Sequence, residues 1–136
     1  MKLSSLDKSY FLSLIVFLSL IIIAFITNVK DYVNDGVILI FLLTLLYLGR
    51  SSLKLNVWSY LLIAFGFLLH NFGVFGFYNV SPVFIQWDHV THFFGELGMG
   101  VFVFNYLNKS NFFVNGKLST FYLCTIAVLA AMGLGV

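Results

Sequence analysis

The feature that most constrains this chain is the run from Tyr10 to Thr27, YFLSLIVFLSLIIIAFIT, 18 residues without a single charge. About 20 apolar residues are needed to cross the hydrocarbon of a bilayer as a helix. A secretory leader would have an apolar region of about 7–15 residues followed by a small-x-small cleavage site. This run is longer and ends in Phe25-Ile26-Thr27-Asn28, which supplies no such site. It is therefore read as a retained membrane helix, and four further apolar stretches follow the same logic.

Those stretches are residues 32–49, 57–78, 88–107 and 118–136, separated by short polar segments. The second is brought to span length only by including Tyr32-Val33, with Asp35 snorkelling or lining an interior. In the third, Trp58 and Tyr60 at one end and Tyr78 at the other read as interfacial aromatics. Composition agrees: 61% hydrophobic, 9% charged and a mean hydropathy of +1.03, against about 25% charged in soluble domains. The expected fold is an all-α polytopic transmembrane bundle of about five spans, a single domain over 1–136 embedded in the lipid bilayer of the cell membrane. The scattered basic residues exclude a nucleic-acid surface. The lone Cys124 has no disulfide or CxxC partner and reads as packing.

Basic residues in short loops set orientation. Lys2 and Lys8 precede the first stretch, Arg50 and Lys54 lie in the second loop, and Lys109 and Lys117 in the fourth, while the third loop has none. The N-terminus and the second and fourth loops are thus expected on the cytoplasmic side. The last stretch ends at Gly133-Leu134-Gly135-Val136 without an interfacial anchor, so the chain is expected to be a fragment of a longer protein. Ala127, Ala131 and Gly135 recur at every fourth position and form a small-residue stripe for a helical partner.

Chemistry concentrates in Trp87-Asp88-His89-Val90-Thr91-His92-Phe93-Phe94-Gly95-Glu96, which holds two of the three histidines and two of the five acids. With Asp88 at 0° and about 100° per residue, His92 falls near 40°, Glu96 near 80° and His89 near 100°. Phe94, Leu97, Val101 and Phe104 fall on the opposite side, at about 160–240°. Asn105, near 260°, is set apart from the polar face. Glu96 lies about 12 Å below Asp88, and His70, eight residues before Tyr78, lies at a matching depth on a preceding antiparallel helix. His70 and Glu96 are therefore expected to face each other or to meet through His92.

Three readings follow. His70, Asp88, His89, His92 and Glu96 offer nitrogen and oxygen ligands for a divalent metal such as zinc, as a metal-dependent membrane hydrolase would use. The same residues suit a proton or ion relay in a small carrier. Or they are structural, with Asp88 at the helix start, favoured there by the dipole, in a non-catalytic subunit of a membrane complex.

Leu69-His70, Phe77-Tyr78 and Asp88-x-x-x-His92-Phe93 together resemble the YjdF-like family of uncharacterised bacterial and archaeal membrane proteins. The resemblance covers about residues 69–94 and implies a polytopic membrane fold with His70, Asp88 and His92 as its characteristic polar positions. His89 and Glu96 depart from the family pattern, so the resemblance gives them no role. It implies no reaction.

Overall fold

The computed structural model describes residues 3–80, 84–109 and 124–129. Helix α1 runs over Ser5–Ile26. Its start is fixed by a capping box: Ser4 Oγ accepts from the Asp7 amide at 3.1 Å, and the Ser4 amide donates to Asp7 Oδ2 at 2.9 Å. The chain reverses at Asn28, whose φ of 59° is one that asparagine tolerates, and returns as α2, Lys30–Leu48.

The first hairpin is locked at its open end. Tyr10 stacks on Tyr47, ring centroids 3.9 Å apart. Tyr47 donates to Asp7 Oδ1 at 2.7 Å, Arg50 sits over the Tyr47 ring at 4.2 Å, and Tyr10 and Thr44 hydroxyls meet at 3.2 Å. Helix α3, Val57–Phe72, begins at Asn56, whose Oδ1 accepts from the Ser59 amide at 2.8 Å. It then widens into a π-helical segment, Gly73–Phe77, and ends in the short α4, Tyr78–Val80. Helix α5, Trp87–Lys109, runs back along it.

The α3–α5 pair is the most extensive contact in the molecule. Its centre is a glycine seam. A Cβ on Gly66 would stand 3.1 Å from the Gly95 backbone, and one on Gly98 would stand 3.0 Å from the Ile63 amide nitrogen. Small residues let membrane helices approach to backbone contact, and van der Waals packing then holds them. Hydrogen bonds pin the seam at both ends: Trp87 Nε1 donates to the Leu69 carbonyl at 2.9 Å, and Asn105 Nδ2 donates to Ser59 Oγ at 3.1 Å. The Lys54 ammonium donates to the Lys109 carbonyl beside the second pin.

Tyr10, Phe17, Leu39, Leu43, Leu55, Tyr60 and Ala64 form the core between α1, α2 and α3. The outward faces stay apolar: Leu12, Ile15, Ile22, Phe25 and Ile26 of α1 are exposed, the last two at 79% and 75%. In water such a surface would drive aggregation; in hydrocarbon it is solvated. Among the described residues, Ser5–Ile26 and Val57–Val80 are long and apolar enough to cross a membrane, and Tyr32–Leu48 is apolar but shorter. The two ends differ in charge. Lys8, Arg50, Lys54 and Lys109 belong to one end, Asp35 and Asp88 to the other.

Candidate functional site

The acidic end carries the site, and the π segment builds it. In a regular helix, residues eight apart are about 12 Å apart along the axis, too far for most side chains. The π turn takes an extra residue, and Gly76 adopts φ 124°, a conformation that favours glycine. The Tyr78 ring then folds back flat over Gly73. A Cβ on Gly73 would lie 2.7 Å from Tyr78 Cε1 and closer still to Cζ and Cε2, so only glycine leaves room for the ring. The result is a contact of 2.8 Å between the Tyr78 hydroxyl and His70 Nδ1.

The other imidazole nitrogen, Nε2, lies 3.9 Å from Asp35 Oδ2 at the start of α2. His70 thus sits between a phenol and a carboxylate. With Nδ1 bare, it accepts from Tyr78 and presents its Nε2–H to Asp35; with Nδ1 protonated, it donates to Tyr78; doubly protonated, it pairs with the Asp35 charge. The His70 and Asp35 side chains are 45% and 40% exposed, so both are reachable from the acidic end. Thr91 of α5 is within hydrogen-bonding reach of the Tyr78 hydroxyl, and Asp88 is near enough for its charge to act on Tyr78. Thr91 Oγ1 donates to the Asp88 carbonyl at 2.8 Å, which ties this side of the site to the first turn of α5. His92 Nε2 lies 3.5 Å from Asp88 Oδ1 on the exposed face.

The five residues expected to share one site are therefore distributed. His70 turns to Asp35 and Tyr78 and does not face Glu96. Asp88 and His92 pair with each other, and His89 is exposed. Glu96 lines a groove of about 350 Å³ with Phe93, Leu97, Phe104 and, from the helical turn at 124–129, Ala127 and Val128. Among the described residues no three His, Cys, Asp or Glu side chains are grouped to hold a metal ion. The reason is the rotation of α5. Its buried residues are Trp87, Thr91 and Gly98, a stripe centred about 80° round the helix from Asp88. The glycines seat that stripe on α3, and the Asp88–His92–Glu96 face turns away.

The same rotation corrects two further expectations. Asn105, set apart on angle alone, lies on the contact stripe and bonds Ser59. Ala127, expected to await a helical partner, is 3% exposed within its own chain; Ala131 and Gly135 lie outside the described residues. Asp35 and Tyr78 were read as a snorkelling acid and an interfacial aromatic. The signal that could have found them is Gly73-x-x-Gly76 immediately before Tyr78, a glycine spacing with no purpose in a plain span.

Comparison with known proteins gives one family. No curated protein and no solved structure matches the chain. The family model described as Predicted membrane protein (DUF2238) matches residues 9–136. A match over nearly the whole length, to a chain whose helices present apolar surface outward and gather their polar groups at one end, places this protein in the DUF2238 family of predicted membrane proteins.

Proposed function

We propose that this integral membrane protein carries a one-sided acid–base site, with His70 as the proton-holding group, Asp35 and Tyr78 as its two partners, and Thr91, Asp88 and His92 as the flank contributed by α5. The single observation that carries this is the order Asp35–His70–Tyr78. An imidazole between a carboxylate and a phenol can pass a proton from one nitrogen while the other is recharged, which is the requirement of general acid–base chemistry. The reaction class is a hydrolase-type proton transfer to a substrate reaching the site from the outer leaflet. The resemblance to YjdF-like proteins fits, since His70, Asp88 and His92 are its characteristic positions.

Orientation follows from the charge asymmetry of the ends. Lys8, Arg50, Lys54 and Lys109 favour a cytoplasmic location for the basic end, which puts the His70 site at the outer face. The glycine seam supports a site open on that side only, because α3 and α5 meet backbone to backbone below it and leave no room for a water path between them. A proton-coupled carrier needs such a path.

The test has two parts. Nitrogen-15 NMR of labelled histidine in nanodiscs follows His70 through pH. Asp35→Asn is expected to lower its pKa by about one unit, since a neighbouring carboxylate favours the charged imidazole, and Tyr78→Phe is expected to shift its tautomer balance. An unchanged His70 in both variants sinks the site. Proteoliposomes with an entrapped pH dye address sidedness: the wild-type protein is expected to leave the proton gradient intact, and a leak abolished by His70→Ala would replace the one-sided reading with the carrier.

A further inference from the structure

One helix position behind His70, the chain buries polar groups that its own side chains do not satisfy. Asn71 is 0% exposed, and neither its Nδ2 nor its Oδ1 has a hydrogen-bond partner among the described residues. Tyr32 of α2 is also 0% exposed, and its hydroxyl likewise has none. Buried amides and phenols are nearly always paired, and a membrane offers them no bulk water.

Helix periodicity brings the two together. Asn71 follows Tyr60 and Ala64 by 11 and 7 residues and shares their face. That face packs into the core formed with Leu39 and Leu43 of α2. Tyr32 precedes those two leucines by 7 and 11 residues and shares their face. In an antiparallel pair, both steps lead about 10 Å outward from the core, to the same level. The rings agree with this register. Phe75, four residues after Asn71, packs on Tyr32 with centroids 4.1 Å apart. Tyr32 Cε1 lies 3.5 Å from where a Gly36 Cβ would be, which sets its hydroxyl end at the level of neighbouring Asp35, the partner of His70.

We propose that Asn71 and Tyr32 form a buried water-binding site between α2 and α3. The chemistry selects the ligand. The amide presents a donor and an acceptor, and the phenol is both. A direct Asn71–Tyr32 bond meets one amide atom and leaves the other. A metal cation meets the oxygens and leaves the Nδ2 hydrogens without an acceptor. A water closes a ring in which Asn71 Nδ2 donates to the water, the water donates to Tyr32, and Tyr32 donates to Asn71 Oδ1. This inference stands on burial and hydrogen bonding and holds whether or not His70 transfers protons.

The experiment is through-space NMR exchange between side-chain amide protons and water, with asparagine-15N-labelled protein in nanodiscs. The Asn71 signal is identified by its loss in Asn71→Leu, or, where that variant does not fold, by paired labelling with Phe72. A cross-peak from the Asn71 amide to a long-lived water is expected, and its loss is expected in Tyr32→Phe, which removes one oxygen and keeps the ring. Absence of the cross-peak in the wild-type protein, or its persistence unchanged in Tyr32→Phe, overturns the proposal. In thermal unfolding, the Tm loss of the double variant Tyr32→Phe/Asn71→Leu is expected to be smaller than the sum of the single losses. Additive losses count against a shared water.

Discussion

Replacing Gly73 by alanine is the most direct probe of how the site is built. The added Cβ would lie 2.7 Å from Tyr78 Cε1 and closer to two other ring carbons, where carbon pairs need about 3.5–4.0 Å. The ring must retreat by about 1 Å or more, and the Tyr78 hydroxyl, now 2.8 Å from His70 Nδ1, moves beyond hydrogen-bonding range. Loss of the bond costs about 0.5–1.5 kcal/mol, and forced repacking costs about 1–3 kcal/mol. The reduced freedom of alanine in the unfolded chain offsets about 0.4–1 kcal/mol. A net loss of about 1–3 kcal/mol follows, measured by reversible unfolding in mixed micelles, with the His70 NMR titration as a second readout. The source of the loss is checked with a double-mutant cycle. In a Tyr78→Ala background the clash is gone, so Gly73→Ala should cost little or become mildly stabilising. An equal cost in both backgrounds would refute the account, because glycine would then be needed for the backbone and not for the ring.

Two further outcomes test the α3–α5 interface. Gly98→Ala pushes against the Ile63 backbone and should lose about 1–3 kcal/mol, whereas Gly95→Ala, whose Cβ would meet nothing within 4 Å, should leave stability unchanged or slightly higher; the same unfolding assay ranks them, and equal effects would contradict the seam. Asn105→Leu removes the bond to Ser59 and should cost about 0.6–1.7 kcal/mol, the range for interhelical hydrogen bonds in membranes, with Ser59→Ala adding little on top of it.

The Lys54 and Lys109 contact, the Asp7–Tyr47 bond and the Asp35–His70 pair place like ends together, so the alternation of basic and acidic ends along the sequence becomes a charge difference between two faces of one bundle. That difference is what gives the acid–base site a side. It also explains why His70 can be half exposed without violating the apolar interior: it is near the end of α3, where the π segment opens the helix toward the polar boundary.

The sequence by itself determined the class of fold, because uncharged runs such as Tyr10–Thr27 satisfy every backbone group internally as helices and have no other stable form in hydrocarbon. It also determined where chemistry could be, since His70, Asp88 and His92 interrupt those runs at one end. What it left open was rotation. Asp88, His92 and Glu96 share a helix face at any orientation of α5, but which face meets α3 depends on how closely two backbones can approach, and Gly66, Gly95 and Gly98 decide that through contacts between residues about 30 apart in the chain. Periodicity sums over one helix and cannot see such a contact. The same holds for Tyr78: its return to His70 depends on a π turn and on the missing side chain of Gly73, both set by local packing. Tertiary structure therefore exchanged Glu96 for Asp35 and Tyr78 as the partners of His70, because close packing of small residues fixed the helix rotation before the polar groups could choose their neighbours.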